Sequence, residues 1–179
     1  MLLSKTTTTP KIKEKPIKTI EIEVAIAKAY GVRKNIIVPN ISWGFGGMHE
    51  CDMFIVRPTG IVTEIEIKIT KADLLADFKK GHDHKDRQNR IAYFFYAMPQ
   101  TMYEKCKDLI PPEAGILSCY RSEWDENKIY VSEKRKATKR KNSRKLTPEE
   151  KFKIAWLGTM RIFSLKEKII KLQNEHSTI

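Results

Sequence analysis

The segment from Gly60 to Ile69 alternates strictly between two sets of side chains, and this alternation restricts the fold more than any other feature of the chain. Successive side chains of a β-strand point to opposite faces, so GIVTEIEIKI predicts a strand whose isoleucines share one face. The other face would carry Val62, Glu64, Glu66 and Lys68. A second apolar segment, His49–Arg57, precedes this strand, and Pro58-Thr59-Gly60 provides the turn between them. The sequence therefore predicts a β-hairpin.

Helices and further strands are predicted on both sides of the hairpin. A helix is expected from Ile17 to Tyr30, with an apolar stripe of Ile20, Val24 and Ala27 and with Gly31 ending it, although the IEIEV alternation would also suit a strand. Residues 35–43 suit an extended segment that Pro39 interrupts, followed by a glycine-rich loop. Further helices are expected over 71–80 and 101–109, and strands over 91–98, 115–120 and, briefly, 128–131. This order predicts an α/β protein with a central mixed β-sheet flanked by helices.

The chain divides into four expected regions. Residues 1–15 suggest a flexible N-terminal tail, 16–122 the α/β core, 123–146 a basic linker, and 147–179 a helical C-terminal extension. The extension opens with Thr147-Pro148-Glu149-Glu150, the pattern of a capping box with proline at the first helical position. Its apolar residues, from Phe152 to Leu172, must pack on the core or on a second subunit; intramolecular packing is slightly favoured over a homodimer.

The charge distribution indicates a polyanionic partner. The chain of 179 residues has a formal net charge of +12, and the run KRKATKRKNSRK from Lys134 to Lys145 contributes +8 of it. Such a run is typical of a nucleic-acid-binding arm that is disordered when free, or of a solubilising linker. It lacks the aromatic or leucine anchors of a membrane-binding segment, and no stretch is apolar enough to span a membrane. No P-loop or GxGxxG motif suggests a nucleotide cofactor. Three scattered cysteines favour a reducing, cytoplasmic compartment.

The hairpin also carries the residues that best suit catalysis. Asp52 lies on the first strand and Glu66 on the second, and adjacent strands are roughly 4.8 Å apart, so both carboxylates can approach one cation. Oxygen ligands of this kind suit Mg²⁺ or Mn²⁺. Lys68 lies two residues beyond Glu66 on the same face, so its ammonium can stabilise negative charge that develops in a transition state. Together the three residue types suit the hydrolysis of a phosphodiester.

These residues resemble the signature of the PD-(D/E)xK nuclease superfamily, which has the restriction-endonuclease-like fold. The longer pattern ECDMFIV…EIEIKITKADLLADFKK resembles more narrowly its MmcB-like, DNA-repair-associated branch and related phage and bacterial proteins, over roughly residues 19–120. Cys51 replaces the proline of the superfamily's name. The resemblance implies a Mg²⁺- or Mn²⁺-dependent deoxyribonuclease in which Asp52, Glu66 and the carbonyl of Ile67 bind the metal, Lys68 is catalytic, and the first helix contributes an acidic residue, for which Glu23 is preferred to Glu21.

DNA contacts are expected on both sides of this site. The helix after the hairpin and the loop that follows it would flank the DNA, and the basic run would add affinity that depends on salt. The candidate DNA-binding residues are Lys71, Lys79, Lys80, Lys85, Arg135, Lys139, Arg140 and Lys141.

Several alternatives stay open at this point. Asp52, Glu66 and Lys68 could form a structural ion-pair cluster on a solvent-facing hairpin. The protein could also be a nuclease-fold module that binds DNA or a partner with little catalysis, or a basic RNA-associated protein. Glu64 is expected to be a rim residue, a salt-bridge partner or a ligand of a second metal. Individual residues of the following helix and loop also have a second interpretation. Asp73 is expected to be a capping residue of the helix. Asp77 and Lys79 are expected to form either a solvated face of the helix or a contact with DNA. His82 and His84 are expected not to bind a metal.

Overall fold

The computed structural model of the chain describes residues 15–41, 51–79 and 89–176. These described residues form four α-helices and six strands, together with a short 3₁₀ turn at Lys107–Leu109. In chain order the elements are α1 (Thr19–Tyr30), β1 (Ile36–Ile41), β2 (Cys51–Val56), β3 (Val62–Ile67), α2 (Lys71–Lys79), β4 (Ile91–Pro99), α3 (Gln100–Cys106), β5 (Gly115–Arg121), β6 (Ile129–Arg135) and α4 (Pro148–His176).

The six strands form one mixed sheet whose spatial order is the same as the order along the chain. The pairs β1–β2 and β2–β3 are antiparallel. The pairs β3–β4 and β4–β5 are parallel, and β5–β6 is antiparallel. Each parallel connection contains a helix, α2 or α3, as such crossovers require. The predicted α/β architecture, the hairpin and the mixed sheet are confirmed.

The side-chain alternation predicted for β3 sets the two layers around the sheet. Ile65 and Ile67 contact α1 in one apolar cluster, whereas Val62 lies on the opposite face with residues of β2 and α4. That opposite face also packs against α2 and α3 through a third cluster around Tyr96. The acidic residues of β3 therefore lie on the face covered by α2, α3 and the start of α4.

Helix α1 packs through a different stripe from the predicted one. Ile22, Ala25 and Ile26 are buried, whereas Ile20 is 61% exposed and Val24 is 48% exposed. Ile22 and Ile26 lie one turn apart, and the small Ala25 between them lets the helix approach the sheet closely. The predicted helix is confirmed, but its predicted buried face is wrong.

Pro39 does not interrupt the first extended segment. It lies inside β1, paired with Met53 of β2. Because β1 is the edge strand of the sheet, a residue without a backbone N–H is tolerated there.

Residues 123–146 do not form a linker, and this corrects the predicted division of the chain. They include β6, which is longer than the predicted strand and pairs with β5 from Ile116 to Arg121. The following residues, 136–146, which we call the basic strap, cross one end of the sheet. Their backbone N–H groups donate to carbonyls that precede or begin three strands: Thr138 to Glu113, Arg140 to Ala92, and Leu146 to Gly60. Most of the predicted disordered arm is therefore part of the folded domain.

Helix α4 begins as predicted. The Thr147 hydroxyl accepts a hydrogen bond from the Glu150 N–H at 3.2 Å, and the Glu150 carboxylate accepts one from the Thr147 N–H at 3.0 Å, which completes the capping box. The first half of the helix packs on the core, through Ile154, Leu157 and Gly158 beside β1 and through Arg161, which donates to the Asn40 carbonyl. Farther along, Ile162, Leu165, Ile169 and Leu172 are 50–55% exposed, so the predicted intramolecular packing holds for the start of the helix alone.

No helix among the described residues has both the length and the apolar character needed to cross a membrane. The predicted glycine-rich loop at 44–47, His82, His84, Lys80 and Lys85 lie outside the described residues, as does the N-terminal tail except Lys15.

Candidate functional site

Asp52 is held against β3 by a hydrogen bond to the backbone. Its Oδ2 atom accepts from the Ile67 N–H at 2.6 Å. The β2–β3 register pairs Met53 with Ile65, so one further step along the antiparallel ladder brings Asp52 beside Glu66. The predicted convergence of the two carboxylates on one face of the hairpin is therefore present in the structure, and the Ile67 backbone lies next to it.

Lys68 forms the centre of a buried ion-pair cluster. Its side chain is 9% exposed, and its Nζ atom lies 3.3 Å from Glu66 Oε2 and 3.1 Å from Asp77 Oδ1. Burial lowers the pKa of this lysine, but the charges of Glu66 and Asp77 raise it more, so the net pKa of Lys68 is raised. The ammonium is therefore charged at every physiological pH.

Asp77 and Tyr96 extend the cluster into α2 and β4. The Asp77 Oδ2 atom accepts a hydrogen bond from the Tyr96 hydroxyl at 3.1 Å, while its other oxygen binds Lys68. Asp77 is 8% exposed and Tyr96 is fully buried. Asp77 is thus neither a solvated residue nor a surface DNA contact, and it fixes the position of the Lys68 ammonium.

The electrostatics of Asp52 show that negative charge accumulates at this place. Burial and the nearby Glu66 charge raise the pKa of Asp52 from 3.8 to about 6, although the Ile67 N–H and Lys68 act in the opposite direction. The Glu23 carboxylate adds a further increase. A carboxylate whose pKa is raised in this way is stabilised by an added cation.

The structure separates the two glutamates of α1. Glu21 pairs with Arg121 at 3.1 Å and accepts from the Lys18 N–H at 2.8 Å. Glu23 is partly buried, and burial raises its pKa while a hydrogen bond from Asn40 lowers it. Because the Glu23 charge acts on Asp52, Glu23 lies on the side of the candidate site and Glu21 is used elsewhere.

Glu64 is more central than its predicted place at the rim. It is fully buried on the same face as Glu66. Burial raises the pKa of the Cys51 thiol, and the charges of Glu64, Glu66 and Asp52 raise it further. Within the described ranges, however, no group of three or more His, Cys, Asp or Glu side chains is arranged to hold a metal ion.

The donor set nevertheless suits a hard divalent cation. Asp52 and Glu66 offer carboxylate oxygens, the Ile67 backbone lies beside Asp52, and burial together with the Glu66 charge raises the pKa of Asp52. Two carboxylates completed by a carbonyl and by substrate or water oxygens are a common Mg²⁺ environment. The residues present therefore fit Mg²⁺ or Mn²⁺.

The predicted DNA-binding residues differ in their surroundings. Lys71 and Lys79 are exposed on α2, and Lys139 and Lys141 are exposed on the basic strap. Arg140 is partly buried, with its guanidinium 5.9 Å from the centre of the Phe94 ring. The Arg135 side chain is occupied structurally, because its guanidinium donates to the carbonyls of Ala114, Ile110 and Pro111. The two remaining candidates, Lys80 and Lys85, lie outside the described residues.

Two members of the cluster were not recognised from the sequence. Asp77 lies three residues after Leu74, on the same side of α2, and this spacing is the signal that it faces the core. Tyr96 lies in a continuous apolar run, where nothing distinguishes a tyrosine whose hydroxyl binds a buried carboxylate from an ordinary core residue.

Comparison with known proteins supports the fold alone. The chain is similar to a solved structure, the SPO1766 protein of unknown function from Silicibacter pomeroyi, with 18% sequence identity and a TM-score of 0.57; the alignment covers 90% of this chain and 96% of that chain. Neither the family models nor the curated protein sequences contain a match to the chain.

Proposed function

We propose that the protein is a metal-dependent deoxyribonuclease that hydrolyses DNA phosphodiester bonds. The observation that supports this most is the convergence of Asp52, Glu66 and Lys68 at one end of the hairpin, where two carboxylates and a buried ammonium share one face of the sheet. The resemblance of the same residues to the PD-(D/E)xK pattern adds support from the sequence.

In this proposal Asp52, Glu66 and the Ile67 carbonyl hold Mg²⁺ or Mn²⁺. The bound cation would lower the pKa of a water molecule and offset the charge of the scissile phosphate. Lys68 places a permanent positive charge beside the reacting phosphate, and Asp77 with Tyr96 keeps the ammonium in position. Glu23, whose pKa is raised, serves as a proton acceptor at the edge of the site.

The setting of this activity follows from the same resemblance and from the basic surface. We assign the protein to DNA repair, recombination or phage DNA metabolism in the cytoplasm. Three buried cysteines that form no disulfide suit that compartment. Exposed lysines of α2 and the basic strap would bind the DNA backbone without contributing much sequence preference.

A nuclease-fold binding module is the second candidate, and one observation favours it. Lys68 is already paired with two carboxylates, Glu66 and Asp77. A protein of this kind would bind DNA or a partner through the same face and turn over slowly or not at all.

Cleavage assays separate the two candidates. Full-length protein is incubated with single-stranded, duplex and branched DNA in Mg²⁺, Mn²⁺ or EDTA, together with the variants Glu66→Gln and Lys68→Ala. We expect cation-dependent cleavage that each variant reduces by at least about 100-fold. The exposed positions Glu123→Gln and Lys105→Ala are matched controls that should cleave normally. Cleavage that persists in EDTA or in both site variants contradicts the assigned site, and binding without cleavage under every condition favours the module.

The second half of α4 supports a homodimer as part of the same proposal. Ile162, Leu165, Ile169 and Leu172 follow the 3-4-3 spacing of coiled-coil a and d positions, with isoleucine at a and leucine at d, which is the combination of parallel dimers. All four are about half exposed in the single chain. We infer that a second copy of the chain covers them.

A further inference from the structure

A cavity of about 370 Å³ lies on the face of the sheet opposite to the candidate site. Phe95, Leu117 and Val131 form its apolar floor, and all three belong to the apolar cluster on the α1 side of the sheet or pack against it. The last residues of α1, Ala29 and Tyr30, form part of its wall. The sheet therefore separates this cavity from the carboxylates and the lysine of the candidate site, so a ligand bound in it would not touch them.

Two opposite charges reach the cavity from different strands. Arg57 follows β2 and Glu133 belongs to β6, and both line the cavity. The two strands are four positions apart in the sheet, which is roughly 19 Å at ~4.8 Å per strand. Burial and the Glu133 charge raise the pKa of Tyr30 to about 12, whereas the Arg57 charge acts in the opposite direction, so the Tyr30 hydroxyl lies within electrostatic range of both. Among the described residues, neither Arg57 nor Glu133 forms an ion pair, and both charges are therefore available to a ligand.

Hydroxyl groups line the same cavity. They belong to Tyr30, Thr63 and Tyr93, and in the part of the chain that the structure describes none of them takes part in a hydrogen bond. Thr63 is only 2% exposed and lies on the side of β3 that carries Ile65, which is the side of the cavity. A buried hydroxyl without a partner costs free energy, and a bound ligand can recover it by supplying a hydrogen bond. The cavity thus offers both charges and hydroxyls that nothing inside the described fold uses.

We propose that this cavity binds a small zwitterion whose two charges are separated by an apolar segment, with the length of a dipeptide. Its carboxylate lies beside Arg57, and its ammonium group lies beside Glu133 and the end of α1, where the last carbonyls of the helix carry partial negative charge. Its apolar side chains rest on the floor of Phe95 and Leu117. A cavity of this volume falls within the ~300–1,000 Å³ of small-ligand pockets. A single α-amino acid is too short to reach charges carried by strands so far apart.

Calorimetric titration of the full chain with related dipeptides tests the proposal. The probes are L-leucyl-L-leucine, its N-acetyl derivative, which lacks the ammonium group, and its C-terminal amide, which lacks the carboxylate. We expect each derivative to bind at least about 10-fold more weakly than the free dipeptide, because each loses a charge-assisted hydrogen bond. Glu133→Gln should remove only the preference over the N-acetyl derivative, and Arg57→Gln only the preference over the amide. Lys105→Gln and Glu123→Gln, which remove exposed charges elsewhere, are the matched controls.

The outcomes decide the proposal independently of DNA cleavage. Absence of binding at millimolar concentration overturns it, and so does equal affinity of the wild type for all the probes. Tightest binding of the N-acetyl derivative would indicate a site for simple anions and would also overturn the zwitterion. Thr63→Val should weaken binding without lowering the melting temperature, since the hydroxyl has no partner within the described fold; if this variant fails to fold, the surface variants at Arg57 and Glu133 still decide. Glu66→Gln should bind the dipeptide as the wild type does, and weaker binding would contradict a cavity separate from the candidate site.

Discussion

Asp52 should destabilise the folded protein when no cation is bound, and replacing it should make the protein more stable. Burial and the Glu66 charge raise the pKa of Asp52 from 3.8 to about 6, so its ionised form is disfavoured in the folded chain. In Asp52→Asn the amide oxygen can still accept the hydrogen bond that the Ile67 N–H donates to Asp52. The substitution thus removes a charge and keeps the contact.

The pH dependence follows from the direction of the shift. A carboxyl group with a higher pKa in the folded chain binds more protons when folded, so the free energy of unfolding falls as the pH rises from about 4 through about 6. The difference between the unfolded and the folded pKa of Asp52 corresponds to a change of about 3 kcal/mol in the free energy of unfolding, at about 1.4 kcal/mol per pKa unit. Because the side chain is partly exposed, we expect solvent screening to reduce this to about 1.5 kcal/mol. For a chain of this length that is a rise in melting temperature of about 3–6 °C.

Urea and thermal unfolding in EDTA at pH 8, 6 and 4 measure this effect. Asp52→Asn should be more stable than the wild type at pH 8, and its advantage should shrink near pH 6 and vanish near pH 4. Asp108→Asn, which changes an exposed acid in the same way, is the control. Added Mg²⁺ at ~100 times its dissociation constant should stabilise the wild type by about 2.7 kcal/mol and the variant much less. An advantage absent at pH 8, or one that grows towards acid, would refute the reasoning.

Five further predictions concern other residues of the structure. Asp77→Asn should lower the rate constant for cleavage by about 10-fold or more and leave DNA affinity unchanged, because the ammonium of Lys68 is no longer held in a fixed position. Single-turnover kinetics measure this rate constant, and an unchanged value would contradict the prediction. Arg135→Ala should lower the free energy of unfolding by about 1–3 kcal/mol with little effect on DNA binding, because three carbonyls lose the hydrogen bond that the guanidinium donates. Lys139→Ala should instead leave stability unchanged and reduce the slope of log affinity against log salt by about 1, measured by titration at several salt concentrations. Gly60→Ala should destabilise by more than about 1 kcal/mol in urea, since φ is +83° and a Cβ atom would lie 2.8 Å from a backbone oxygen. Leu165→Glu should convert a dimer into a monomer in light scattering, and a wild-type monomer at micromolar concentration would count against the coiled coil.

The hairpin and its acidic residues could be predicted because their signals are local. Strict alternation in β3 fixes which side chains share a face, and the turn between the strands fixes their pairing. The positions of Asp52, Glu66 and Lys68 relative to one another follow from these two facts. The capping box of α4 was predictable for the same reason, since Thr147 and Glu150 lie within one helical turn.

Contacts between distant parts of the chain were not predictable in this way. The partnership of Asp77 with Tyr96 joins α2 to β4 across 19 positions, and it depends on how closely the helix packs on the sheet. The basic strap shows a second limit. Charge predicts disorder when no backbone partner is known, but Arg140 and its neighbours are held by carbonyls of strand ends that no pattern within the run reveals.

The packing of α4 against β1 has a consequence for how the chain folds during synthesis. Each strand from β2 to β6 pairs with the strand that precedes it in the chain. Most of the sheet therefore has low contact order and can form while the chain emerges from the ribosome. Strand β1 is the exception, because Val38 and its apolar neighbours are covered only when Ile154 and the start of α4 arrive. A nascent chain that stops before residue 146 keeps an uncovered apolar edge, which is the kind of surface that recruits chaperones or pairs with another chain. We therefore expect truncations within the basic strap to reduce the yield of soluble protein far more than truncations after Leu172.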